Sequence, residues 1–139
     1  MELWELFARE GIRDTIARYN ANQDAGRVDS VIGLFAPDAV LEFRDRTFTG
    51  RDGVRSFFAA AIAARMGQAD KPTHIRHSTT TLQIDLVNES EAKSRCYFFV
   101  VSDAGMETWG RYLDEFKPVD GKWLFSRRRI LFDKGGPHL

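Results

Sequence analysis

Apolar residues near the start of the chain return at steps of three and four, the spacing of a helix that buries one face. The pattern predicts a long first helix from Leu3 to Asp24, with apolar positions at Leu6, Ile12, Ile16 and Tyr19. A shorter helix is predicted over residues 27–35, followed by the turn APDA, because Pro37 cannot continue a helix. An alanine-rich third helix is predicted over residues 53–66, with Asp52 as its candidate N-cap.

The later part of the chain changes to residues that favour β-strands. Val, Ile, Thr and aromatic residues dominate four segments, at residues 74–87, 92–102, 107–117 and 122–133. The intervening NESE, DAGM and PVDGK are typical of turns. A short hairpin is predicted earlier, from AVLEF and DRTFTGRDG, and the C-terminal KGGPHL is expected to be a loose tail. Helices first and an antiparallel meander afterwards indicate an α+β fold with the helices on one face of the sheet.

Composition and charge limit the possible functions. The 139 residues include 20 basic and 20 acidic side chains, which argues against nucleic-acid or membrane-surface binding driven by net charge. No apolar run approaches the roughly 18 residues of a membrane span, and MELWELFARE lacks the basic start of a signal peptide. The single cysteine, Cys96, fits a reducing compartment. We therefore expect one cytoplasmic domain over residues 1–139.

The stretch HIRHSTTT contains two of the three histidines, and they point to opposite faces of an extended strand. His74 follows the turn at Pro72 and is expected at the surface or rim. His77 shares its face with the polar side chains that follow it, whereas Ile84 and its apolar neighbours fall on the other face. A β-bulge within this strand, or a long curved strand whose faces exchange cover, would reconcile an inward His77 with an inward Ile84.

Other kinds of active site find little support in the sequence. The three histidines lack the spacing of a metal site, GRDG and KGG do not form a phosphate-binding loop, and no serine or cysteine nucleophile motif is present. We therefore expect neither a metal nor another cofactor.

Four segments carry a resemblance to a known family: RYNANQDAGRVDSVIGLFAPDAVLEF, TGRDGVRSFF, HIRHSTTT and WGRYLDEFKPVDGKWLFSRR. Together they resemble the SnoaL-like group of the nuclear-transport-factor-2-like superfamily, near scytalone dehydratase and hexachlorocyclohexane dehydrochlorinase. The resemblance covers nearly the whole chain. It implies a cone-shaped half-barrel, in which three N-terminal helices pack on a curved, mostly antiparallel sheet.

The resemblance also implies a catalytic pair, an Asp at the end of the first helix and a His on the first long strand. Motif matching places these at Asp24 and His77, and places an arginine of the dehydrochlorinase at Arg128. The family's other active-site positions differ here, so neither relative's substrate is carried over. Four residues at or near the site are candidates to bind substrate: Tyr19, Gln23, Tyr97 and Tyr112.

An imidazole oriented by a carboxylate can take up and return a proton near neutral pH. The implied activity is a cofactor-independent, dehydratase-like lyase acting on a small, mostly apolar, oxygenated molecule. An isomerase, a cyclase or an epoxide-opening enzyme stays open, as does a non-catalytic binding or assembly protein. Arg128 could hold a departing anion or instead form an ion pair with Asp114 or Glu115. Relatives commonly associate through the sheet, which implies a homodimer or homotrimer.

Overall fold

The computed structural model describes residues 1–134, and in this range three helices and six strands follow one another largely in the order that the hydrophobic pattern predicts. Their bounds are α1 Leu3–Asp24, α2 Val28–Ile32, β1 Phe35–Phe43, β2 Arg46–Thr49, α3 Gly50–Met66, β3 Ile75–Asn88, β4 Glu91–Ser102, β5 Gly105–Val119 and β6 Lys122–Lys134. The expected C-terminal tail lies outside the described residues, apart from Lys134. No helix of residues 1–134 combines the length and apolarity needed to cross a membrane.

The strands form one open, mixed sheet in the order β2-β1-β6-β5-β4-β3. Every neighbouring pair is antiparallel except β1 and β6, which run parallel with Leu41 opposite Arg128. The sheet ends at β2 and β3, and β3 is an edge strand because it pairs only with β4. This arrangement confirms the predicted α+β fold and the predicted four-strand meander.

The core lies between the helices and the inner face of the sheet, and aromatic rings fill much of it. Tyr19 of α1 contacts Phe58 of α3 and Phe125 of β6, with ring centroids 6.0 and 5.8 Å apart. Tyr112 of β5 stacks on Phe98 of β4 at 4.5 Å. Apolar burial of this kind is the main favourable term in folding, and here it fixes α1 against the sheet.

Three local predictions were wrong in detail. The second helix, predicted over residues 27–35, ends at Ile32, and β1 begins at Phe35. The segment APDA, predicted as a turn, lies within β1, where the pairing with β6 shifts register between Phe35 and Val40. Pro37 falls inside this irregularity, so its missing N–H removes no ladder hydrogen bond. Helix α3 has Thr49 rather than Asp52 at its N-cap, and Asp52 lies in the first turn, where a negative charge favours the helix dipole.

The predicted β-bulge in β3 is confirmed. Regular pairing with β4 runs to Thr80 opposite Tyr97 and resumes at Gln83 opposite Arg95, so two residues of β3 face one of β4. One of these two, Thr81, has φ 55°. The extra residue reverses the alternation, and His77 and Ile84 therefore lie on the same, inner face of the sheet.

Replacing Thr81 with glycine tests the bulge. A β-branched residue at positive φ is strained, so we expect Thr81→Gly to leave the free energy of unfolding unchanged or raise it by up to about 1 kcal/mol. The matched change Thr80→Gly, in the regular part of the strand, should lower it by about 1 kcal/mol. Urea denaturation of both variants measures the difference. Equal destabilisation would contradict the strained bulge.

Candidate functional site

Asp24, the last residue of α1, binds His77 of β3 at two points. Its Oδ2 accepts a hydrogen bond from the backbone N–H of His77 at 3.0 Å, and its Oδ1 lies 2.6 Å from the ring Nδ1. The backbone N–H is free for this contact because β3 is an edge strand and the group points away from β4. The end of α1 and the edge of the sheet thus hold each other through one carboxylate.

This double contact fixes the tautomer of the neutral imidazole. A carboxylate can only accept hydrogen bonds, so the ring proton lies on Nδ1 and the lone pair lies on Nε2. The pair is sheltered but reachable, with 16% of the His77 side chain and 11% of the Asp24 side chain exposed. Such a contact can hold an imidazole in one orientation through a carboxylate.

The pair opens into a cleft of about 530 Å³ between α1 and β3. Three alanines one turn apart, Ala17, Ala21 and Ala25, line the cleft from the helix, and their small side chains leave it wide. Asn20 also lines it. This volume lies within the range of about 300–1,000 Å³ that is typical of small-molecule sites.

Arg128 lies in the interior, with no exposed side-chain surface. It forms a double ion pair with Asp114, at 2.9 Å from Nε and 3.1 Å from Nη2. The guanidinium carbon lies 3.7 Å from the ring centroid of Tyr112 and 4.2 Å from that of Tyr19. Of the two arrangements left open by the sequence, the structure has the ion pair with Asp114, while Glu115 pairs with Arg127.

The candidate tyrosines divide between the interior and the surface. Burial raises the pKa of Tyr19 to about 12 and raises the pKa of Tyr112 well above its usual range, so both phenols stay neutral at physiological pH. Tyr97 lies on the outer face of the sheet and is 54% exposed. Gln23 is partly buried, and its Oε1 accepts no hydrogen bond from the described residues.

The structure thus brings Asp24 and His77 into contact and gathers Tyr19, Tyr112 and Arg128 into a second, interior cluster. It does not bring Tyr97 to either group. His74 is exposed, as expected. The sequence reasoning missed Asn20, which precedes Asp24 by one helical turn and therefore lies on the same side of α1. That spacing is the feature that could have revealed it.

The structure is an open α+β sheet packed against helices, with a carboxylate–imidazole contact at the end of its first helix. A family model described as a SnoaL-like domain matches residues 4–129, so the chain belongs to the SnoaL-like family. This confirms the resemblance seen in the sequence. No match was found among curated proteins.

Solved structures share the fold over nearly the whole chain. A proposed scytalone dehydratase from Novosphingobium aromaticivorans is 21% identical, with 100% of this chain and 93% of that chain covered and a TM-score of 0.82. A hexachlorocyclohexane dehydrochlorinase from Novosphingobium barchaimii is 16% identical, with 99% and 94% covered and a TM-score of 0.81. A protein of unknown function from Mycobacterium tuberculosis is 24% identical, with 94% and 74% covered and a TM-score of 0.80. At these identities the likeness establishes the fold alone.

Asp24→Asn should reverse the tautomer of neutral His77. The backbone N–H of His77 needs the one remaining oxygen, so the new NH₂ group faces Nδ1, which then accepts a hydrogen bond while the proton moves to Nε2. Imidazole nitrogen chemical shifts measure the change, and exposed His74 serves as the control within each spectrum. The Nδ1–H form in both proteins would contradict the double contact.

Proposed function

We propose that the protein is a cofactor-independent lyase of the dehydratase type, in which His77 removes a proton and Asp24 orients it. The observation that carries this proposal is the double contact of Asp24 with His77, which leaves the basic Nε2 of the neutral ring without a bond to the carboxylate. Scytalone dehydratase and dehydrochlorinase are names for enzymes that eliminate water or hydrogen chloride, which supports elimination as the reaction class.

The reaction begins when Nε2 of His77 takes a proton from an acidic carbon of the substrate. By the end of the reaction the electrons of the broken C–H bond form a double bond to the neighbouring carbon, whose hydroxyl group leaves. The imidazolium, stabilised by the Asp24 carboxylate, returns its proton to that hydroxyl, and water is released. Isomerisation begins with the same transfer but returns the proton to another carbon. Product analysis distinguishes the two reactions.

Arg128 has a structural role in this proposal, in place of the anion-holding role that the resemblance implied. Its buried ion pair with Asp114 leaves only Nη1 without a partner among the described residues. A group so enclosed can reach a substrate only if the aromatic rings around it move apart. We propose that Arg128 holds the interior together instead.

We propose that the protein acts in the cytoplasm on a small, mostly apolar, oxygenated molecule. The three alanines of the cleft wall support an apolar substrate face.

Cys96 is buried, and burial raises the pKa of its thiol to about 11, so it stays neutral and takes no part in the chemistry.

His77→Ala should abolish catalysed proton exchange. We expect the wild-type protein in deuterated water to exchange deuterium into members of a panel of β-hydroxy carbonyl compounds, and the variant to do so at least about 100-fold more slowly, the usual effect of removing a general base. His74→Ala, at an exposed position in the same segment, is the matched control. Nuclear magnetic resonance of the recovered compounds measures the exchange. Equal rates for His77→Ala and the wild type would exclude His77 as the base.

A second candidate is a non-catalytic binding or assembly protein, and it is favoured by the filled interior around Arg128. The outer face of the sheet supports association as well, because Tyr97 and Trp109 leave 54% and 40% of their surface exposed. Phe99 lies opposite Trp109 on the same face. We propose that this face joins copies of the chain into a homodimer or homotrimer, whichever function is present.

Tyr97→Glu combined with Trp109→Glu should convert the assembly to monomers, because the change places like charges on a face that we propose is buried between copies. Light scattering after size-exclusion chromatography measures the mass. Phe7→Glu, at an equally apolar and 68% exposed position on α1, is the control and should keep the wild-type mass. A monomeric wild-type protein would contradict the proposed interface.

A further inference from the structure

Asn20 occupies the cleft beside the catalytic pair although no motif marks it. It is 6% exposed and lines the same cleft as Asp24 and His77. A spacing of four residues places it directly behind Asp24 on α1. An amide so deeply buried requires partners for its polar atoms, because a buried donor without a partner is destabilising.

The oxygen of the Asn20 amide has a partner on the inner side. The hydroxyl of Tyr112 donates to Oδ1 in a long hydrogen bond of 3.5 Å. Tyr112 is held by its stacking on Phe98 and by the guanidinium of Arg128 over its ring. With this hydrogen bond formed, the Asn20 amide lies with Oδ1 toward Tyr112.

The nitrogen of the amide is left without a protein partner. No described residue accepts a hydrogen bond from Nδ2. Nδ2 is not fully sealed from solvent, in contrast to the buried unpaired atoms found elsewhere in the described residues. Solvent therefore reaches it. Because Asn20 lines the cleft, the cleft is where an acceptor on a ligand would meet these N–H groups.

We propose that Asn20 is a catalytic residue that donates a hydrogen bond to the carbonyl oxygen of the substrate, and that the substrates are carbonyl compounds with the reacting proton on the adjacent carbon. This inference rests on the proposed function. When His77 takes that proton, the electrons of the C–H bond move onto the carbonyl oxygen and form an enolate. The enolate then collapses, its electrons form the new C=C bond, and the β-hydroxyl leaves as water with the proton from His77. Tyr112 is a positioning residue, since it acts through Asn20.

Hydrogen bonds to an oxygen that becomes negative in the transition state are among the largest catalytic contributions. Loss of one such donor lowers the turnover rate by about 100- to 1,000-fold. Asn20 suits this task because its N–H groups are fixed before the substrate arrives and carry no charge. A neutral amide also leaves the imidazole of His77 free to take up positive charge nearby.

Binding of para-nitrophenol tests the proposal without any turnover. Its anion has a distinct absorption spectrum, and its oxygen imitates that of an enolate. We expect wild-type protein to bind the anion, Asn20→Ala to bind it about 10-fold more weakly or worse, and Asn20→Asp to bind more weakly still because of charge repulsion. Asn22→Asp adds the same charge to α1 but lies outside the cleft lining, so it should bind like the wild type.

A measurement on the unmodified protein guards against misfolded variants. The side-chain amide resonances of Asn20 should shift when para-nitrophenol is added, whereas those of Asn22 should not. Unmoved Asn20 resonances, equal affinity of the wild type and Asn20→Ala, or no binding by the wild type would each overturn the proposal. The two proposals can fail separately. If His77→Ala exchanges normally while binding of para-nitrophenol depends on Asn20, His77 is not the base but the role of Asn20 stands. If His77→Ala loses exchange while binding does not depend on Asn20, His77 remains the base and Asn20 is not the donor.

Discussion

The carboxylate of Asp24 holds the backbone and the side chain of His77 at the same time. One oxygen caps the backbone of an edge strand and the other holds the imidazole of His77, so the same residue joins α1 to the sheet and sets the position of the ring. This arrangement requires His77 to face inward, and only the bulge at Thr81 allows that while Ile84 also faces the core. The placement of the ring therefore depends on a local irregularity that is itself strained.

A second buried carboxylate, Asp114, has a different environment and a different consequence. Its pair with Arg128 is enclosed by aromatic rings, and burying two charges costs several kcal/mol that their attraction only partly offsets. Loss of either partner would leave an uncompensated charge in the core. The pair therefore fixes how Tyr112 and β6 pack, and through the hydroxyl of Tyr112 it reaches Asn20 and the cleft. The packing around Arg128 and Asp114 therefore affects the position of the Asn20 amide in the cleft.

The elements were predictable because each rests on local rules. Apolar spacing located α1 to the residue. The conflict between His77 and Ile84 predicted either a bulge or a curved strand, and β3 has the bulge. The turn predicted at Pro37 was wrong because the pairing of β1 with β6 shifts register there, so that no N–H is required at this position. The local sequence does not reveal this shift. The spacing of four residues to Asp24 could have placed Asn20 on the same side of α1. The orientation of its amide could not be predicted, since it depends on the distant Tyr112 and on a cleft formed by two elements 53 residues apart at Asp24 and His77.

The filled interior favours a scaffold, but the site beside α1 does not suit one. A purely structural histidine gains most from having both ring nitrogens bonded, yet the carboxylate binds His77 only through its backbone N–H and Nδ1. A purely structural asparagine likewise gains from pairing its N–H groups, and Nδ2 of Asn20 has no acceptor among the described residues. Nε2 of His77 and the N–H groups of Asn20 are instead left for solvent or a ligand in one cleft. This arrangement suits a bound molecule that has a proton to lose and an oxygen that accepts a hydrogen bond, as the proposed function requires.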